Sequence, residues 1–328
     1  MRQSSIFYEV TTSEFSNLRE IRKNKGVTRH IIAPDWIARD YAFPADVQVT
    51  ECDDLGELAA DVIASAEFVV LPYEGSTISI EEAITRLTNV KVIQTLTAGF
   101  DNVQPFVPAD VTLCNAAGVH DDATSELAVL LTLSVLRDMP RSHKAQQEHH
   151  WETYFARSLA DKTVLLIGYG NVGKAAEKRL LGFGCKVIPV ARTARDHVHA
   201  ISELPNLIPS ADVVMLIVPN NPGTVNLVDA KFLASMKDDS VLVNVARGVV
   251  VDTEALLAEL RTGRIAAALD VTEPEPLPAD HPLWSMPNVI ITSHNGGEGD
   301  VFWDRARARI HSQFDLWLAG KPLECVIT

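Results

Sequence analysis

No stretch of the chain stays apolar and uncharged for the roughly 18 residues that a membrane-spanning helix needs, so no such span is expected. The opening residues, MRQSSIFYEVTTSEFSNLREIRKNKG, hold no apolar core of signal-peptide length, and the expected location is the cytoplasm. Cysteine is scarce: Cys52, Cys114, Cys185 and Cys325 stand far apart and form no CxxC pair, which reads as packed thiols rather than staples or ligands. Positive charge is in deficit, 29 Lys and Arg against 43 Asp and Glu, a formal charge of −14. Such a surface repels phosphate backbones and anionic lipid headgroups, which excludes nucleic acid and membranes as expected partners. Ligand spacing is missing too: His149 with His150, and His197 with His199, lack acids or cysteines at metal-binding distance, so no metal is expected.

What is present is a rhythm. At 328 residues the chain has length for about two domains. After a polar leader, short β-rich runs alternate with helical stretches: HIIAP, DDLGELAADVIASA, FVVLP, SIEEAITRL, VKVIQTLT and VTLCNAAG. That is βαβ order and predicts a parallel sheet with helices on its faces. In TSELAVLLTLSVLRDMP, Leu127, Leu130, Leu131, Ser134 and Val135 recur at helical spacing, predicting a helix with one apolar face that Pro140 stops. From Thr163 a second α/β series begins, with TVLLIG, KVIPVA, ADVVMLIVP, DDSVLVNVA, IAAALDV and NVIITS. A last helix, VFWDRARARIHSQFDLWLAG, follows His294 and has the position to fold back onto the first domain. The predicted architecture is α/β with two doubly wound parallel sheets. Residues 119–298 form a Rossmann cofactor domain inserted into a flavodoxin-like substrate domain of residues 1–118 and 299–328.

The segment VLLIGYGNVGKAAEKRLL places Gly168, Gly170 and Gly173 between a strand and a helix, with Asn171 and Val172 in the same turn. Glycines there let the chain turn sharply and bring backbone N–H groups at a helix start onto a pyrophosphate. About 20 residues past the first strand, where NAD-binding folds carry an acid for the ribose hydroxyls, the chain reads Ala191-Arg192-Thr193 and then Arg195. A guanidinium beside a hydroxyl supplies charge-assisted donors for a 2′-phosphate, so NADPH is the expected cofactor with NAD possible.

Three later segments end strands with reactive groups: Arg247 in VNVARGVVVD, Glu275 in ALDVTEPEPLP and His294 in PNVIITSHNGG. An imidazole held by a carboxylate donates protons near neutral pH, and arginine clamps a carboxylate. The set suits hydride transfer on a 2-keto or 2-hydroxy acid.

In order and spacing, GYGNVG, VNVARGVVVD, ALDVTEPEPL, HPLWSMPNVIITSH and WLAGKPLECV resemble the D-isomer-specific 2-hydroxyacid dehydrogenase family, from about Ser65 to the C-terminus. The resemblance implies that Arg247 binds the substrate carboxylate and carbonyl, that His294 is the general acid/base and that Glu275 holds and polarises it. It also implies that Asp270 meets the nicotinamide carboxamide, that Ala98 and Gly99 complete the carboxylate site from the first domain, and that a hinge closes on the substrate. Pro219, Thr224 and Ala246 join Arg192 and Thr193 in the expected cofactor set. A homodimer is implied, with the Ser125–Pro140 helix at its interface. The chain departs from the family at Ser293, where proline is usual, and at Asn295 with GGEGD, which alters the pocket wall.

The expected activity is NADPH-dependent reduction of glyoxylate or hydroxypyruvate. Family members that handle phosphoglycerate carry arginines after the strand corresponding to FVVLP, whereas this chain reads Tyr73-Glu74-Gly75-Ser76-Thr77. Glu74 repels a phosphate, and Tyr73 suits an uncharged tail. The alternatives are a D-3-phosphoglycerate dehydrogenase and a dinucleotide-sensing corepressor on the same scaffold.

Overall fold

The computed structural model describes residues 29–73 and 76–327. The polar leader, and Glu74 with its expected repulsion of phosphate, lie outside the described residues.

Five strands, β1 (Arg29–Ala33), β2 (Val47–Glu51), β3 (Phe68–Val70), β4 (Val92–Gln94) and β5 (Thr112–Cys114), form one parallel sheet. Its order is β2-β1-β3-β4-β5, the flavodoxin-like arrangement. Seven more, β6 (Thr163–Ile167), β7 (Lys186–Ala191), β8 (His199–Ala200), β9 (Val213–Leu216), β10 (Val241–Asn244), β11 (Ala266–Leu269) and β12 (Val289–Ile291), form a second parallel sheet. Its order, β12-β11-β10-β9-β6-β7-β8, reverses between β6 and β9, and a doubly wound sheet opens a crevice where its strand order reverses.

The inner strands read as unbroken apolar runs, such as VVML in β9 and VLVN in β10, because helices cover both sheet faces. These helices are α1 (Asp35–Ala38), α2 (Ala60–Ser65), α3 (Ile80–Arg86), α4 (Asp121–Leu136), α5 (Met139–Gln147), α6 (Asn171–Leu181), α7 (Leu204–Leu207), α8 (Ala230–Ser235), α9 (Thr253–Arg261) and α10 (Phe302–Leu318). In α10, Phe302, Ala306, Ile310 and Phe314 recur every fourth residue and pack with Ile31, Phe68 and Val92 of the first sheet. The chain therefore returns to its first sheet after building the second, as its sequence order suggested. Each of the three large side chains on that stripe contributes about 1.5–3 kcal/mol on burial.

Three readings need correction. Strand β2 was not foreseen: it is the edge strand, half exposed, and its Val-Gln-Val-Thr-Glu sequence has no apolar run to mark it. The long helix does not run to Pro140. It ends at Leu136, Asp138 takes a left-handed φ of 51°, and Pro140 sits in the first turn of α5, where its missing N–H costs nothing. Nor is the buried face the expected one. Ser125, Ala128, Val129, Thr132 and Leu136 face the second sheet's core, Leu131 alone of the expected stripe is buried, and Leu130 is 58% exposed. The helix is apolar on nearly every side, so spacing does not select a face. Its small residues do, by allowing close approach to the sheet.

Burial pushes the Cys52 and Cys114 thiols up to about 11, and all four cysteines are free. Among the described residues no helix is long and apolar enough to cross a membrane, and no group of three or more His, Cys, Asp or Glu is placed to hold a metal ion.

Candidate active site

The loop between β6 and α6 has three glycines with three different reasons. Gly168 has φ +108°, and a Cβ there would lie 2.1 Å from the Ile217 carbonyl oxygen. A Cβ on Gly173 would lie 2.2 Å from the Gly168 carbonyl oxygen, so the helix could not seat against the strand. Gly170, the residue before α6, faces open space: a Cβ there would meet nothing within 4 Å. Asn171 and Val172 open an 11-residue helix beside that space, and free N–H groups at a helix start favour an anion.

Beside it, β7 ends at Ala191, and Arg192 and Thr193 are exposed. Arg195 donates to the Tyr169 carbonyl at 3.0 Å and lies 5.9 Å over the Tyr169 ring, which fixes a second guanidinium at the glycine loop. The Tyr169 hydroxyl donates to Glu177, and burial together with that carboxylate pushes the phenol up to about 12. Across the crevice Thr224 is buried within its own turn, accepting from Asn221 N–H at 3.0 Å and donating to the Pro219 carbonyl at 2.7 Å. Its hydroxyl therefore shapes the Pro219 loop.

His294, Glu275 and Arg247 follow β12, β11 and β10, three neighbouring strands, at the same sheet edge. The Glu275 carboxylate accepts from His294 Nδ1–H at 2.5 Å and faces the Thr272 N–H at 3.4 Å. A carboxylate only accepts, so Nδ1 carries the proton and Nε2 is left for another partner. Arg247 reaches across to the first sheet, with its guanidinium 3.4 Å from Asp101. A Cβ on Gly99 would fall 1.8 Å from Arg247 Nη2, so any larger residue would make the guanidinium move from its place over the Gly99 backbone. The neighbouring Ala98 carbonyl accepts from Asn115 Nδ2 at 2.7 Å, and Thr97 donates to the Gly99 carbonyl at 2.6 Å.

One support, Asn244, was missed in the sequence, and Asp270 has a contact beyond the one expected of it. Asn244, almost fully buried at the end of β10, accepts from Ala246 N–H at 3.0 Å and donates to the Arg247 carbonyl at 3.0 Å. Its only signal is a polar residue closing an apolar strand. Asp270, expected at the nicotinamide carboxamide, has a further use: its carboxylate turns into the His294 loop. It accepts from Asn295 N–H at 2.8 Å, Gly296 N–H at 2.9 Å and Thr292 Oγ1 at 2.5 Å, while its carbonyl accepts from His294 N–H at 2.7 Å. The loop needs this grip, because His294 has φ 56°, a left-handed value that costs about 1–3 kcal/mol for a residue with a Cβ. Tyr73, read as a contact for the substrate tail, packs at a tilt against Phe302, ring centroids 4.4 Å apart, and donates to Glu298 at 2.6 Å.

A glycine-rich strand-to-helix turn in a doubly wound sheet, set beside a second parallel sheet, is the class of fold that dinucleotide-dependent oxidoreductases use. Residues 129–296 match the family model for the D-isomer specific 2-hydroxyacid dehydrogenase NAD binding domain, and the chain belongs to that family. It is 36% identical to a glyoxylate reductase from Thermofilum pendens over 65% of this chain and 67% of that one. It is 30% identical to a D-3-phosphoglycerate dehydrogenase from Methanocaldococcus jannaschii, over 79% of this chain and 51% of the relative. A solved NADPH-dependent glyoxylate/hydroxypyruvate reductase from Sinorhizobium meliloti, in complex with NADP and sulfate, superposes with a TM-score of 0.78 at 25% identity, covering 92% and 98% of the two chains.

Proposed function

We propose that the chain is an NADPH-preferring reductase of small 2-keto acids with a short neutral tail, glyoxylate and hydroxypyruvate first among them. The observation that carries this reading is the 2.5 Å His294–Glu275 pair on the same sheet edge as an Arg247 guanidinium lying over Gly99. The division into residues 1–118 with 299–328 and residues 119–298, a cytoplasmic location and a homodimer belong to the same proposal. Exposed Trp151 (94%) and Phe155 (108%), with Leu130, supply apolar surface for a second copy.

Gly168, Gly170 and Gly173 hold the pyrophosphate of NADPH, and Arg192 with Thr193, backed by Arg195, meets its 2′-phosphate. When bound, the reduced nicotinamide supplies a hydride to C2 of the keto acid. Arg247 holds the substrate carboxylate with the backbone of Ala98 and Gly99, and the acid takes over the guanidinium from Asp101. His294, protonated on both nitrogens, gives its Nε2 proton to the C2 oxygen as that oxygen gains charge. Glu275 stabilises the imidazolium before transfer and fixes the ring that remains. One keto acid, one NADPH and one proton become one hydroxy acid and NADP.

The resemblance to a D-3-phosphoglycerate dehydrogenase supports a second reading, a phosphorylated substrate. A panel of keto acids with NADPH and NADH separates the two. NADPH should exceed NADH in kcat/KM, and glyoxylate or hydroxypyruvate should exceed 3-phosphohydroxypyruvate by at least about tenfold, about 1.4 kcal/mol of transition-state preference. Preference for NADH would refute the role of Arg192. Equal use of the phosphorylated acid would put the second reading first.

A further inference from the structure

His120 is the last residue before α4, where the chain leaves the first sheet for the second, and it is 7% exposed. Its two ring nitrogens meet two backbone carbonyls from opposite sides. Nε2 lies 3.1 Å from the Leu96 carbonyl, two residues before Ala98, and Nδ1 lies 3.1 Å from the Gly297 carbonyl, three residues after His294. The ring stacks on Phe302 at 5.0 Å and 14°, with Tyr73 at 5.9 Å on its other neighbourhood in the same cluster. Gly297 permits the approach, since a Cβ there would stand 2.8 Å from His120 Nδ1.

A carbonyl oxygen can only accept. A neutral imidazole has one N–H and one lone pair, so it satisfies one of these carbonyls and turns a lone pair on the other. Only the imidazolium donates to both. We propose that His120 is a positioning residue whose doubly protonated ring ties the loop under the substrate carboxylate to the loop that carries His294. The proposal rests on the roles given above to Ala98, Gly99 and His294. In this arrangement the two halves of the site are referenced to one ring, and losing a proton releases one of them.

The charges around the ring come from every element packed on it. From α4 come Asp121, whose carboxyl burial pushes above its ordinary range, and Asp122, which is paired with Arg179 and Arg305. The crossing loop brings Glu298, and the loop after β3 brings Tyr73, bonded to that same carboxylate. Helix α10 brings Arg305, while the end of β4 brings only neutral Thr95, Leu96 and Thr97. Asp121 and Glu298 bring negative charge to the surroundings of the ring, and the N-terminal end of α4 and Arg305 bring positive charge. The two carbonyl acceptors at hydrogen-bond distance are the geometry on which the proposal stands.

Two measurements test this. Nitrogen-15 NMR of the holoenzyme labelled at its ten histidines, with the His120 signals assigned by loss in His120→Asn and His120→Gln, reads the ring directly. Both nitrogens should be protonated at neutral pH; a single neutral tautomer from pH 6 to 8.5 would overturn the proposal. Second, the affinity of the NADPH-loaded His294→Asn enzyme for oxamate, a non-reactive keto-acid analogue, should weaken by about tenfold across that range. The dependence should vanish when His120→Asn is added, because the amide keeps one donor and has no proton to lose. Retention of the same dependence in the double variant would refute a role for His120. Should His120→Asn fail to fold by circular dichroism, His120→Gln takes its place. Absence of oxamate binding at every pH would instead count against the keto-acid reading, and the NMR result would still decide the state of His120.

Discussion

His294 sits in a backbone conformation that a side chain with a Cβ resists, and the groups that hold it there are all on one acid. The Asp270 carboxylate gathers the N–H groups of the two residues after His294 and the hydroxyl of Thr292. Asp270→Asn keeps the size but replaces one acceptor oxygen by a donor that faces an N–H or hydroxyl already donating. The loop then relaxes and the imidazole drifts from its line with the substrate, which costs about 10–100-fold in kcat when a reacting group moves by an ångström. Stopped-flow reduction of hydroxypyruvate should show that loss with NADPH affinity nearly unchanged. A loss of NADPH affinity instead would mean that Asp270 serves the cofactor, as the sequence suggested. At this scale the sequence disclosed the groups whose chemistry is in their side chains: Arg247, Glu275 and His294 stand out because nothing apolar explains them at strand ends. The grip of Asp270 on the His294 loop and the two carbonyl contacts of His120 were not legible, because each meets backbone groups far along the chain, and Asn244, which meets the backbone two and three residues on, looks like any polar residue closing a strand.

Among the elements, α4 and α10 are joined by charge. Arg179 of α6 and Arg305 of α10 both donate to Asp122 in the first turn of α4, and they hold its carboxyl below the ordinary range, Arg179 foremost. A carboxylate whose folded value is depressed contributes stability above its unfolded value, and the contribution is lost as pH falls through the folded value. Asp122→Asn should therefore lower Tm at pH 7 by about 2–4 °C, since solvent screening of these half-exposed groups limits the effect to about 1 kcal/mol. Below about pH 4 the difference from the unaltered protein should shrink. Thermal scans at pH 7 and pH 3.5 check this, and a gap that widens in acid would refute it. Helix α4 also marks the limit of pattern reading. Its existence was plain from its length and apolar content, but its buried face was not, since Leu127, Leu130 and Val135 are as apolar as the residues that won. Strand β2 escaped for the opposite reason, too little apolar content at a sheet edge. The buried strands, short apolar runs between turn signals, were readable.

For the whole molecule the arrangement divides labour. The second sheet carries the glycine-rich β6–α6 turn and Arg247, Glu275 and His294 after β10, β11 and β12, while the first sheet offers Gly99 and Asp101 to Arg247 across the crevice. The two sheets are wrapped by separate cores, and the chain passes between them beside His120 on the way out and Gly297 on the way back. On the proposed reading nucleotide binding and proton transfer rest on different segments, and one substitution should separate them. The direct test is to measure hydroxypyruvate turnover and NADPH binding, by fluorescence quenching, on the same preparation of His294→Asn. Turnover should fall by about 10²–10⁴-fold with NADPH affinity near that of the unaltered enzyme. Turnover close to that of the unaltered enzyme would mean that another group moves the proton, and would contradict the assignment on which the reading of this site depends.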